Sequence, residues 1–183
     1  MRQKLDPATV FSGRQSYAEA MRDVGYSDLY AYTDDIYNEI GTIIADANDA
    51  AVTFVPRDPA SEGGEGQGWT LGHVIAHLTA TCEGAAAGAA MMARGVILEQ
   101  RLRYEVPWET ITGGEQVRER LQESHRMCRA FLDAWPRVAH LEVEATPIPQ
   151  LGPMNAIGSY VLGLLHAQTH LEQLREIMRQ ATS

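Results

Sequence analysis

The chain has 183 residues, 45% hydrophobic and 21% charged, a globular composition that excludes a disordered or collagen-like protein. That length suits one full hydrophobic core and is short for two, so a single domain is expected over residues 1–183. Twenty-four acidic against fifteen basic residues give a net charge of −9 with no segregated basic cluster, which argues against a nucleic-acid partner.

No apolar run approaches the roughly 20 residues of a membrane span, and the N-terminus has no apolar signal region. No membrane partner and a cytoplasmic location are therefore expected. Cys82 and Cys128 fall inside predicted helices and outside any Cys-x-x-Cys pattern, which points to free buried thiols.

In chain order, residues 1–26 read as an N-terminal arm, with a short helix over Ser16 to Val24 stopped by Gly25. The first long helix is predicted from Ser27 as N-cap. It places Tyr30, Thr33, Ile36, Tyr37, Ile40, Ile43, Ile44 and Ala47 at helical spacing, and Gly41 within it suggests a close helix approach. Residues 51–68 lose that pattern to Pro56, Pro59 and several glycines and read as a long loop, either disordered or a lid.

The second helix follows Thr70 as N-cap, with Leu71, Val74, Ile75, Leu78, Thr81, Cys82 and Ala85 in helical period. Its continuation from Gly84 to Ala93 is built of Gly, Ala and Met. Side chains that small let a neighbouring helix come close, or leave room for a ligand. After a connection over 95–111, Thr112 and Glu115 suggest a capping box for the third helix, whose stripe runs Val117, Leu121, Ser124, Cys128, Phe131, Trp135 before Pro136. A Pro-rich connection over 138–152 leads to the last helix, predicted as one piece from Ile157 to Arg179. Four long helices, two long connections and no strand pattern indicate an all-α fold, a four-helix bundle over 27–180 with long crossover connections and the short N-terminal arm. The first half of the last helix is apolar on nearly every face, so it is either central or covered by a partner, and a homodimer is expected.

That last helix carries His166-x-x-x-His170. Imidazoles four residues apart share one helix face with Cβ atoms roughly 5–6 Å apart, close enough for one divalent ion to take a nitrogen from each at about 2.0–2.1 Å. Left unpaired there, both rings would be desolvated without compensation. His77, on the edge of the second helix's apolar face, is the candidate third donor and His73, one turn earlier, its rival; His125 and His140 look like helix-surface and loop residues. A lone histidine on an apolar face is ordinarily a hydrogen-bonded core residue, so the case rests on the three together. Gln173 and Thr81 are candidates to orient a ligand or a bound water, and Glu83 and Tyr160 are lesser candidates for a general base. The chain contains no His-Glu-x-x-His and no Gly-x-Ser-x-Gly.

Two stretches carry a resemblance to a known family. Trp69-Thr-Leu-Gly-His-Val-Ile-Ala-His77-Leu78 resembles the second-helix motif of the DinB-like family of metal-binding four-helix bundles, where the His before Leu is a ligand. His166-x-x-x-His170-x-x-Gln173-Leu174 resembles that family's last-helix motif, in which both histidines are ligands. The family often has His-His-x-Gly-Gln near the second of these, where this chain has Thr169-His170-Leu171-Glu172-Gln173. The ligand set therefore carries over, and the substrate does not.

The resemblance implies a metal site of His77, His166 and His170. Three neutral imidazoles on one side of a metal leave coordination positions open, as in a catalytic site, and suit zinc, nickel, cobalt or iron, zinc and nickel foremost. Such an ion lowers the pKa of bound water or holds a substrate thiol. The family includes transferases and isomerases that use low-molecular-weight thiols. The expectation is a metal-dependent enzyme, a thiol-dependent S-transferase or hydrolase acting on a small-molecule substrate; the alternative is a non-catalytic metal-binding or stress-response module.

Overall fold

The computed structural model describes residues 7–57, 68–100, 102 and 104–182. Among these the secondary structure is helical, with one isolated bridge between Ala145 and Met154 and no strand. The helices are α1 (Pro7–Phe11), α2 (Tyr17–Met21), α3 (Tyr26–Ile43), α4 (Asp49–Thr53), α5 (Leu71–Ala93), α6 (Gly114–Asp133), α7 (Ala156–Thr169) and α8 (Leu171–Ala181), with 3₁₀ turns at Trp108–Thr110 and Pro149–Leu151. None is long and apolar enough to cross a membrane. Of the loop expected over 51–68, residues 58–67 lie outside the described residues, while 51–53 belong to α4.

Local chemistry explains most of the helix ends. Thr70 accepts from the His73 amide and opens α5, as its position before an apolar period suggests. Asn155 does the same for α7, accepting from the amides of Ile157 and Gly158. Two starts differ from expectation. The cap of α3 is Gly25, not Ser27, because the Asp28 carboxylate takes the Gly25 N–H at 2.9 Å. The cap of α6 is Gly113, not Thr112: the Gln116 amide oxygen accepts from both Thr112 and Gly113, and Asp49 at the start of α4 takes the Gly114 N–H at 2.9 Å.

The last predicted helix is two segments. At the break the Thr169 hydroxyl donates to the His166 carbonyl at 2.6 Å, the carbonyl to which the His170 N–H would bond in a continuous helix. The His170 amide turns instead to Ala167 O at 3.1 Å, and α8 restarts when Leu174 N–H reaches His170 O. With α7 and α8 taken as one broken rod, the long helices are the expected ones: α3, α5, α6 and α7–α8.

The core lies where these rods meet, around Leu29, Ile40, Ile75, Leu78, Leu165 and Leu174, all fully buried. The stripe expected on α6 is buried at Val117, Leu121, Ser124, Cys128 and Trp135, whereas Leu132 takes the inward place expected of Phe131. The N-terminal arm joins this core through Val10, Tyr17, Ala20 and Val24, and the Tyr17 hydroxyl donates to Gly158 O in α7 at 2.5 Å. Ile157, Val161 and Leu164, whose apolar surface suggested a partner chain, are buried within the chain itself, because α7 packs against α5, α3 and α1. Gly41 lies 3.8 Å in Cβ terms from Leu121, an ordinary contact, so it does not mark a close helix approach.

The close approach is elsewhere. α5 and α7 are the most extensively packed pair, and a Cβ on Gly163 would stand 2.6 Å from the Ala85 Cβ and 3.4 Å from the Cys82 Cα. Only glycine lets the backbones come this near. One turn beyond Gly163 along α7 lies His166.

Candidate metal centre

Stepping by four along α5, His73, His77, Thr81 and Ala85 form one ridge, because residues four apart stack on a helix surface, and Trp69, just before the Thr70 cap, stacks on His73 at its start. Where α7 crosses this ridge, His166 meets His77, and their Nε2 atoms are 2.9 Å apart. His170, at the junction of α7 and α8, brings its own Nε2 to 3.3 Å from that of His166. One ligand atom from each of the three lies within 4.8 Å of the others, and all three residues are half-buried. The structure thus brings together the three histidines singled out in the sequence.

The donor set fits a divalent transition metal. Two nitrogens about 2.0–2.1 Å from one ion, at roughly 90–110° to each other, lie about 2.9–3.4 Å apart; the His77–His166 and His166–His170 separations of 2.9 and 3.3 Å fall in that span, and the third pair lies within 4.8 Å. Hydrogen bonding alone serves the cluster poorly, since the His166 Nε2 faces two neighbouring nitrogens and carries at most one proton. The outer nitrogens reinforce the reading. His170 Nδ1 is 2.7 Å from Gln173 Oε1, and since an amide oxygen only accepts, the ring proton sits on Nδ1 and the Nε2 lone pair faces the cluster. Beside His77, the Glu105 carboxylate stands 3.9 Å from Nδ1, which favours a proton on that nitrogen as well.

Other sequence candidates are placed differently. His73, the rival ligand, is sandwiched between indoles: its ring stacks on Trp69 at 4.2 Å and on Trp108 at 4.7 Å. Burial there holds its pKa below the ordinary imidazole range, against the opposing pull of Glu105 and Glu109. Thr81 is buried one turn beyond His77 and, with His77 and His166, lines a cavity beside the cluster. The two lesser candidates for a general base are occupied in the packing. Glu83 is ion-paired with Arg120, and the Tyr160 hydroxyl is buried against Thr33 Oγ1 at 2.8 Å and Cys128 O at 3.3 Å, burial pushing its pKa far up. His125 pairs with Asp34 at 2.7 Å on the α3–α6 face, and His140 with Glu142 in the 138–152 connection.

Three contributors escaped sequence reasoning. Trp69 lies edge-on to His77 at 4.9 Å and parallel to His170 at 6.3 Å, covering that side of the cluster. Its place four residues before His73 was a usable signal. Glu105 and Trp108 come from the connection between α5 and α6, where no periodicity marks a residue as facing a distant helix. On its other side the cluster is open: His77 and His166 border a cavity of about 600 Å³ whose α5 wall includes Gly84, Ala85, Gly88 and Ala89.

Cys82 and Cys128 are free and buried, and desolvation pushes the Cys128 thiol up to about 12 and that of Cys82 well above its usual range. Neither is a ready thiolate at neutral pH.

Comparison with curated proteins and with solved structures finds no match. A family model described as the DinB superfamily matches residues 32–174. That stretch runs from the first long helix to the residue after Gln173, so it contains all three histidines and most of the chain. The chain belongs to the DinB superfamily.

Proposed function

We propose that His77, His166 and His170 hold one divalent transition metal, zinc or nickel, and that the chain is a metal-dependent enzyme. Its reaction class is thiol-dependent S-transfer or hydrolysis, on a small molecule bound in the adjoining cavity. The carrying observation is the convergence of the three imidazoles, at 2.9 and 3.3 Å between Nε2 atoms, on the wall of a cavity of about 600 Å³. A divalent ion there supplies Lewis acidity and lowers the pKa of a water or thiol brought to it. The protein's part is positioning: Gln173 holds the His170 ring by its Nδ1–H, and Trp69 keeps solvent from the covered side. The cavity beside His77 and His166 favours an enzyme over a sealed, non-catalytic metal-binding or stress-response module.

The test is elemental analysis of tag-free protein, followed by turnover assays with low-molecular-weight thiols and with ester or amide substrates. One equivalent of metal is expected in the wild type, with strong loss of occupancy in each of His77→Ala, His166→Ala and His170→Ala and none in His73→Ala. Turnover should disappear on chelation and return with zinc or nickel. Full occupancy in the three alanine variants overturns the site, and a loaded protein inert toward both substrate classes overturns the reaction class.

A further inference from the structure

We infer that the cavity beside the histidines is a subsite for an uncharged, linear apolar chain, the body of a substrate whose polar head lies at His77 and His166. The head depends on the metal site proposed above; the chain depends on the cavity alone.

The volume, about 600 Å³, falls within the roughly 300–1,000 Å³ of small-molecule pockets. Its shape is long. The lining residues of α5 run from His77 to Met92, a rise of roughly 22 Å at about 1.5 Å per residue. Between those ends the α5 wall offers only short side chains, with Leu162 of α7 opposite and Ile97 and Ile148 contributed by the two connections. Thr81, buried one turn from His77, lies at the head end of the slot, and the polar side chains farther along it are engaged or exposed. Ser159 donates its hydroxyl to the Met92 sulfur at 3.2 Å, and Glu99 and Gln100 are exposed.

The decisive residue is Gly88. Glycine in a helix interior weakens the helix relative to any ordinary residue, and at Gly163 packing accounts for it, since a Cβ there would meet Ala85 at 2.6 Å. At Gly88 a Cβ would meet nothing within 4 Å, and the residue has no positive φ. Neither backbone conformation nor helix contact requires a glycine here. What its missing side chain leaves is room in the slot about three turns from His77. An extended hydrocarbon chain fills such a slot without leaving a buried polar atom unsatisfied.

The experiment is calorimetric titration of metal-loaded, tag-free protein with n-alkyl hydroxamates from butyl to octyl, and with the matching n-alkanols, which lack the metal-directed head. Both series should tighten by about fourfold per methylene, the value of a fully buried CH₂. Gly88→Leu adds a side chain where space is open and improves helix propensity, so it should fold and keep its metal while binding octyl members at least tenfold more weakly. His166→Ala should abolish the advantage of hydroxamates over alkanols and leave the alkanol series intact. Affinity independent of chain length in the wild type overturns the inference whether or not the variant folds, as does octyl binding unchanged in Gly88→Leu. Hydroxamates no tighter than alkanols, with chain-length dependence retained, would remove the metal reading and leave the subsite standing.

Discussion

Gln173 reaches His170 through one hydrogen bond of 2.7 Å, and that bond decides which nitrogen of the ring is free to bind. Gln173→Leu removes the acceptor and keeps approximate size, so metal affinity should fall about 10–100-fold, the usual effect of losing an outer partner; competition against a chromogenic chelator measures it. His73 supplies a pH signature. Its pKa is lowered by burial between the indoles, so the unfolded chain binds a proton more readily than the folded one. Stability tied to this residue is therefore complete above the free imidazole value of about 6.5 and is lost as pH falls through and below it. His73→Phe keeps an aromatic ring in the stack and cannot protonate. Melting temperatures of the metal-free proteins between pH 7.5 and 5 should drop less steeply for this variant than for the wild type. Equal slopes would mean that His73 is not held neutral by its surroundings.

Between elements, the approach of α5 to α7 sets the distance between His77 and His166, and Gly163 sets the approach. Gly163→Val should force the helices apart at Ala85, destabilise the fold by about 1–3 kcal/mol as overpacking does, and lower metal affinity with it. Chemical denaturation with and without metal separates the two effects, and a variant with both unchanged would show that the contact does not fix the centre. The interruption at His170 belongs to the same scale. A regular helix from Ile157 to Arg179 was the natural reading of the apolar period, since no proline or glycine marks a stop there. The break shows only in the backbone, where the His170 N–H turns to Ala167 O and the Thr169 hydroxyl bonds the His166 carbonyl, and such a local change has no signature in hydrophobic pattern.

For the molecule as a whole, the proposed centre joins α5 to the α7–α8 junction, so a metal held there would couple its binding to folding. A ligand that binds only the folded state stabilises it by about 2.7 kcal/mol when present at 100 times its dissociation constant. Zinc or nickel should raise the melting temperature of the wild type and leave that of His77→Ala unmoved. A homodimer remains a proposal for light scattering to test; it would use a surface other than Ile157, Val161 and Leu164, which the chain covers by itself. That the first half of α7 is apolar all round is explained by its central place among α5, α3 and α1.

Periodicity was enough to indicate an all-helical chain, its long helices and the pairing of His166 with His170, because helix faces and their sequence intervals are linked by geometry that needs no partner; His77 joined them through the motif resemblance. The stretch of Gly, Ala and Met in the second long helix was readable as close packing or ligand space; in the fold Gly163 nests on Ala85, and Gly88 lines a cavity. The motif resemblance pointed to His77 over His73, and the tertiary structure supplies the reason that His77 meets the pair on the last helix: both lie on one ridge and only the crossing point of α7 separates them. Tertiary structure alone supplied Glu105, Trp108 and Asp49, whose roles arise from elements far away in the chain. Such contacts depend on where helices cross, and a crossing point is fixed by side-chain packing summed over the whole core.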